Sequence, residues 1–198
     1  MITNRIFTHI ANYYGSKSGL LKYIKATLFG YLGVFRNYEI VNSSSRVKRL
    51  VFVCKGNICR SALADIYCSR KNQVPVASFG LATHSGKPAN DRVREKSEQL
   101  GIDISGHITT CYGDFEHQAG DMYICFEPDH CRQLNALGIK NDILLLGTLH
   151  NSRKWYIHDP YNANDYYVAY ISAYIVEACD RLLFLILESE ESKFSTNQ

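Results

Sequence analysis

The sequence predicts an α/β domain, a parallel sheet of about four strands with helices on both faces, behind an N-terminal helical extension. Three observations carry this expectation. Short apolar runs rich in β-forming residues alternate with longer stretches whose apolar residues recur at helical spacing. The polar, turn-prone stretch Asn42-Ser43-Ser44-Ser45-Arg46 separates that alternation from a basic segment before it. The length of 198 residues holds one domain with a full core plus a smaller addition, but not two large domains.

The extension covers residues 1–46. Leu20, Leu21, Ile24, Leu28 and Leu32 recur at helical spacing, with Lys17, Lys22 and Lys25 towards the start, so one amphipathic helix is expected over residues 18–35. Six Lys/Arg against the single acid Glu39 give this segment +5, and residues 47–198 then carry −2 of the net +3. That total is too small to argue for a nucleic-acid partner. Ala26 to Phe35 is the closest approach to a continuous apolar run, and it is too short to span a bilayer, which takes about 18 or more residues.

The main domain is expected over residues 47–187, followed by a polar tail at 188–198. Leu50-Val51-Phe52-Val53 reads as a buried strand that ends in the loop at Lys55-Gly56-Asn57. Residues 61–70 follow as a helix, with Leu63, Ile66 and Tyr67 on one side and no Gly or Pro. Val74–Phe79, Met122–Phe126 and Asp142–Leu146 read as three further strands. Residues 92–100 read as a helix stopped by Gly101, and 165–187 as a long helix that closes the domain. Strands alternating with helices imply a parallel sheet covered on both faces.

Seven cysteines, an odd number, in a chain without a secretory signal pattern point to a reduced, cytoplasmic setting. No cysteine pair has the histidines that a zinc site needs, and no metal or cofactor is expected.

The chemistry concentrates in the loop Cys54-Lys55-Gly56-Asn57-Ile58-Cys59-Arg60-Ser61, between the first strand and the first helix of the domain. The amino end of that helix offers unpaired N–H groups and positive potential, which favour an anion such as a phosphoryl group. Gly56 and Asn57 both tolerate left-handed backbone angles, so successive N–H groups can turn inward as an anion-binding nest. Arg60 supplies a planar fork of donors that matches two phosphate oxygens. The same positive field favours the thiolate of Cys54, a nucleophile able to attack phosphorus, and Ser61 is placed to hydrogen-bond it when it leaves. A phenolate leaving group needs a proton. Asp159, in the turn His158-Asp159-Pro160-Tyr161, is the candidate acid, stiffened by Pro160. Tyr161 is a candidate wall for the ring, with Thr83-His84 expected on the facing loop. His158 reads as a solvated loop histidine rather than a residue that orients Asp159.

Val53-Cys54-Lys55-Gly56-Asn57-Ile58-Cys59-Arg60-Ser61 resembles the signature of the low-molecular-weight protein tyrosine phosphatases. Ser78-Phe79-Gly80, Gly101-Ile102-Asp103-Ile104-Ser105-Gly106-His107 and Asp159-Pro160-Tyr161 resemble the family's later landmarks, in order. The resemblance covers about residues 47–187. It implies a flavodoxin-like sheet, no metal, Cys54, Arg60 and Asp159 as catalytic residues, and a cysteinyl-phosphate intermediate in phosphotyrosine hydrolysis. Lys55, Gly56, Asn57, Ile58, Cys59, Ser61 and Tyr161 are then the substrate-binding residues. The resemblance also suggests a reversible Cys54–Cys59 disulfide that protects the nucleophile.

Three positions depart from the family pattern. Lys55 replaces an apolar residue, Ala62 replaces a common Pro, and Phe126 stands where Met is frequent. The acid loop lacks the second adjacent Tyr of the eukaryotic branch and is closer to bacterial members serving exopolysaccharide gene clusters. The phosphorylated tail of an autophosphorylating bacterial tyrosine kinase is therefore the preferred substrate. Two other readings stay open. One is arsenate reduction on the same scaffold with Cys125 and Cys131 as redox partners, and the other is a non-catalytic phosphate-binding module. For the extension, the choices are peripheral contact with an anionic membrane surface or packing against the domain or a second copy.

Overall fold

A computed structural model describes residues 2–39 and 47–195. The polar stretch at 42–46, the domain boundary placed there and the last three residues of the expected tail lie outside the described residues. Strands β1 (Arg49–Cys54), β2 (Val76–Gly80), β3 (Asp121–Cys125) and β4 (Ile143–Leu145) form one parallel sheet in the order β2-β1-β3-β4. This is the flavodoxin-like arrangement. The chain leaves β1 to one side to make β2 and then crosses to the other side to make β3. Such a reversal opens a crevice at the carboxyl ends of the strands, where ligands of open α/β sheets bind. Cys54 is the last residue of β1, level with Gly80 on β2, and so stands at that crevice.

Side chains alternate across the sheet and divide the core into two layers. Leu50, Phe52, Met122, Ile124 and Leu144 face helices α3 (Arg60–Lys71), α4 (Asp91–Glu98) and α6 (Asp165–Ser195). Tyr167, Ile171, Tyr174, Ala178 and Leu182 put one buried stripe of α6 against this face. Each large apolar side chain buried in this way stabilises the fold by about 1.5–3 kcal/mol, which makes α6 a principal clamp. It was expected to stop near residue 187, but it continues to Ser195 and takes in most of the expected tail.

Val51, Val53, Tyr123, Cys125, Ile143 and Leu145 face the second layer. There α5 (Pro128–Ala136) contributes Cys131 and Leu134. This helix is an addition to the elements expected from the sequence. Pro128 is tolerated because it stands in the first turn, where its missing N–H has no intrahelical partner.

The rest of the second layer comes from the extension. Helices α1 (Ile2–Tyr14) and α2 (Lys17–Tyr31) replace the single helix expected over 18–35. Helix α2 turns Gly19, Ala26 and Gly30 inward, and Ala26 joins the same core as Val51 and Trp155. The contact is close because these residues are small: a Cβ on Gly30 would overlap the Trp155 indole. Helix α1 is rich in β-branched and aromatic residues with modest intrinsic helix preference, so periodicity alone did not reveal it. Tertiary contacts hold it. The Tyr13 ring packs edge-on against Tyr166 and Tyr170, and the Asn164 amide donates to Asn12 Oδ1 at 2.8 Å.

Candidate active site

The loop between β1 and α3 wraps Cys54 in donors. The backbone N–H of Asn57 points at Cys54 Sγ at 3.2 Å, and Ser61 Oγ lies 3.0 Å from the same sulfur. Asn57 has a φ of 53°, the left-handed angle expected of it, whereas Gly56 does not adopt one. The Asn57 side chain carries the structural load. Its Nδ2 donates to Ser61 Oγ and to Ser78 Oγ, both at 2.9 Å, and its Oδ1 accepts from the Thr110 N–H. Because Ser61 Oγ accepts from Asn57, its own proton is free to point at Cys54.

The landmark residues on other elements support this loop. The Ser78 hydroxyl donates a hydrogen bond to Asp65 Oδ2 at 2.6 Å, and the His107 ring donates to the Asn57 carbonyl at 2.7 Å. Gly80 permits close approach of the loop backbone, since a Cβ there would lie 3.0 Å from Lys55 O and 2.7 Å from Thr83 Cγ2.

Arg60 is the first residue of α3 and is 1 % exposed. Its Nη1 donates to Ile157 O at 2.8 Å and to Glu127 Oε1 at 3.1 Å, while Nη2 lies 3.1 Å from Asp159 Oδ2. Burial alone would lower its pKa. The charges of Asp159, Glu127 and Cys54 more than offset this, so the guanidinium is held charged. Glu127 is the partner the sequence reading missed. Burial pushes its carboxyl up, but the nearby His130 ring and the charge of Arg60 win and hold it well below the usual carboxylate range. His130 is itself pushed down, chiefly by burial, and its Nε2 lies 3.0 Å from Glu127 Oε1.

A cleft of about 510 Å³ opens above the loop. Cys54, Lys55, Gly56, Ile58, Cys59, Asp159 and Tyr161 line it, so it gathers most of the candidate residues. Asn57, Arg60 and Ser61 are buried behind it. Asp159 is about one-third exposed, and its Oδ1 accepts from the Tyr161 N–H across Pro160. Ile58, Ala82, Thr83, His84 and Tyr161 border an adjoining cleft. Cys59 is buried, and its thiol is pushed up by that burial and by Asp159 and Cys54. His158 corrects the sequence reading. It is not a solvated loop residue but half-buried, with Nδ1 2.8 Å from Tyr156 Oη and Nε2 3.1 Å from Ser16 Oγ.

Residues 49–193 match the family model of the low molecular weight phosphotyrosine protein phosphatases. The chain belongs to this family. It is 27% identical to the low molecular weight phosphotyrosine protein phosphatase of Gallus gallus over 136 residues, 62% of this chain and 85% of that protein. A probable low molecular weight protein-tyrosine-phosphatase, EpsP, of Ralstonia solanacearum is 42% identical over 62 residues, 31% of this chain and 43% of that protein. In fold, the chain resembles the crystal structure of the Erwinia amylovora tyrosine phosphatase amsI, with a TM-score of 0.61 and 20% identity. That superposition covers 70% of this chain and 93% of the other. The phosphatase family match starts only at residue 49, whereas Gly15, Ser16 and Ser18 also line the cleft. No spacing rule ties a turn near residue 16 to an acid near residue 159, so nothing in the one-dimensional pattern marked them.

Proposed function

We propose that this phosphatase hydrolyses phosphotyrosine in proteins through a cysteinyl-phosphate intermediate. The observation that carries the reading is the enclosure of Cys54 Sγ by Asn57 N–H and Ser61 Oγ, with Arg60 and Asp159 paired behind the same cleft. The Cys54 thiolate attacks phosphorus as the bond to the tyrosine oxygen breaks, and Asp159 gives that oxygen its proton. Water then attacks phosphorus as Asp159 takes its proton, and the Cys54 thiolate leaves with Ser61 hydrogen-bonded to it. Inorganic phosphate departs. Arg60 serves the transferring oxyanions. Its buried Nε–H has no hydrogen-bond partner among the described residues, a donor that an oxyanion would satisfy. Lys55, exposed at the cleft mouth, adds a cation that favours acidic substrates.

The test is turnover of para-nitrophenyl phosphate and a phosphotyrosine peptide by wild type, Cys54→Ser and Asp159→Ala. The first variant is inactive and the second strongly impaired. Full activity in Cys54→Ser overturns the assignment. Arsenate reduction draws no support from the second cysteine pair. Cys125 and Cys131 are both fully buried, which does not suit thiols that must pass a disulfide outward.

Within this reading, the substrate is the phosphorylated tail of a bacterial tyrosine kinase of polysaccharide synthesis. The acid-loop resemblance to the exopolysaccharide branch and the similarity to EpsP support it. A phosphorylated kinase tail that releases no phosphate refutes it.

The location belongs to the same proposal. Leu21, Ile24 and Leu28 stand exposed along α2 and Leu32 at its carboxyl cap, beside the exposed Lys17, Lys22 and Lys25. No helix among the described residues is long and apolar enough to cross a membrane. An apolar stripe edged with cations suits peripheral contact with anionic lipid. The full chain then sediments with vesicles containing phosphatidylglycerol and not with purely zwitterionic ones. Failure to sediment with either ends this idea.

A further inference from the structure

The turn between α1 and α2 precedes the family match by some thirty residues, yet it forms one wall of the cleft that holds Cys54 and Asp159. Its contacts converge on the segment that carries Asp159. Ser16 Oγ accepts from the Gly19 N–H at 2.9 Å as the cap of α2, and it lies 3.1 Å from His158 Nε2 and 2.9 Å from Ser18 Oγ. The other ring nitrogen, Nδ1, lies 2.8 Å from Tyr156 Oη. His158 is thus tied at both ring nitrogens, next to Asp159 in the chain.

The turn is shaped for this ring. Gly15 has a φ of +74°, and a Cβ there would overlap His158 Cδ2. A Cβ on Gly19 would overlap the Tyr14 carbonyl and lie 2.9 Å from the same His158 atom. Beyond Asp159, Asn12 pairs with Asn164, and Tyr13 Oη lies 2.9 Å from Tyr166 Oη. Residues 12, 13 and 16 therefore hold the acid-bearing segment at three points along its length.

We propose that the α1–α2 turn is a working part of this active site, positioning Asp159 through Ser16 and His158. Ser16 and His158 are positioning residues, and efficient protonation of the leaving group depends on them. This rests on the reading of Asp159 as general acid. It predicts a defect that scales with the leaving group's need for a proton, which a general loss of structure would not produce.

The experiment measures kcat/KM in the full chain for 2,4-dinitrophenyl phosphate, whose leaving group departs unaided, and for phenyl phosphate, whose leaving group does not. Ser16→Gly is the chosen variant because glycine retains most of the capping function while removing the hydroxyl. The loss of one positioning hydrogen bond lowers kcat/KM about five- to tenfold on phenyl phosphate and less than about twofold on dinitrophenyl phosphate. Ser16→Thr, which keeps the hydroxyl, restores the wild-type pattern. Equal losses on both substrates, or none, in Ser16→Gly overturn the inference. Asp159→Asn is the control. If it shows the leaving-group dependence and Ser16→Gly does not, only the role of the turn fails. If Asp159→Asn lacks the dependence, the general-acid reading fails and the inference falls with it.

Discussion

Arg60 Nη2 lies 3.1 Å from Asp159 Oδ2, so the proposed phosphate clamp and the proposed acid hold one another before any substrate is present. The pair spans the first turn of α3 and a loop about a hundred residues later, and Arg60 keeps its other arm on Ile157 O and Glu127. Only a planar fork meets these demands at once. Arg60→Lys keeps the charge and loses the fork. It should lower kcat/KM about 10²–10³-fold, as removal of a preorganised donor to a reacting oxyanion does. Steady-state kinetics on para-nitrophenyl phosphate checks this, and near-normal turnover contradicts the bidentate role.

Glu127 gives a second prediction. Glu127→Gln removes the negative charge that faces buried Arg60 and leaves Asp159 as its remaining carboxylate. Breaking a buried pair on one side costs about 3–5 kcal/mol when no partner remains. With Asp159 still in place, a loss below that range is expected, measurable as a lower urea midpoint. Asp159 drawn more tightly onto Arg60 should also reduce kcat more than it raises KM.

Asn57 separates backbone shape from side-chain chemistry. Asn57→Gly keeps the left-handed angle but frees Ser61, Ser78 and the Thr110 N–H of their partner. Each buried group left unsatisfied costs about 1–3 kcal/mol. Asn57→Ala adds backbone strain of about 1–2 kcal/mol. The alanine variant should therefore melt lower than the glycine variant, with both poorly active. An active Asn57→Gly enzyme would mean that the side-chain network is dispensable.

The fold should weaken in mild acid. His130 and His158 are both held below their ordinary range, first by burial; the Arg60 charge adds to this while Glu127 and Asp159 oppose it, and Lys22 also faces His158. The unfolded chain therefore binds protons at these rings where the folded chain does not. Stability is complete above about pH 6.5, the value for a free histidine, and falls as pH drops below it. The slope is at most about 1.4 kcal/mol per pH unit for each ring. Urea unfolding between pH 7.5 and 5.5 measures it, and His130→Gln should flatten the dependence. An unchanged slope would mean that His130 does not titrate on unfolding.

Much of this site was legible because its chemistry is local. Cys54, Asn57, Arg60 and Ser61 lie within eight positions, and the strand–loop–helix order that aims them at one point follows from hydrophobic periodicity. Asp159 was reachable through the Pro-containing turn around it. Glu127 was not, since a carboxylate at the start of a short helix looks like any surface acid until folding places it against Arg60. His158 was misjudged for a related reason. Its burial comes from α2 and Tyr156, and neither contact leaves a trace in the spacing of its neighbours. Packing of the extension against the domain was among the choices open from the sequence, but its first helix was hidden because the apolar residues looked like one helix's worth of pattern. The small residues Gly19, Ala26 and Gly30, which form its buried face, carry too little apolar surface to mark that face in the sequence.

The cleft above Cys54 also bears on inhibitor design. A compound anchored on the loop from Cys54 to Ser61 meets residues inside the region that the family model matches, where selectivity is hard to build. On the opposite wall it meets Gly15, Ser16 and Ser18, which lie before the matched region. A substituent grown towards Ser16 would therefore read a surface peculiar to chains with this hairpin, and a recombinant fragment trimmed to the family boundary would hide that surface from any screen.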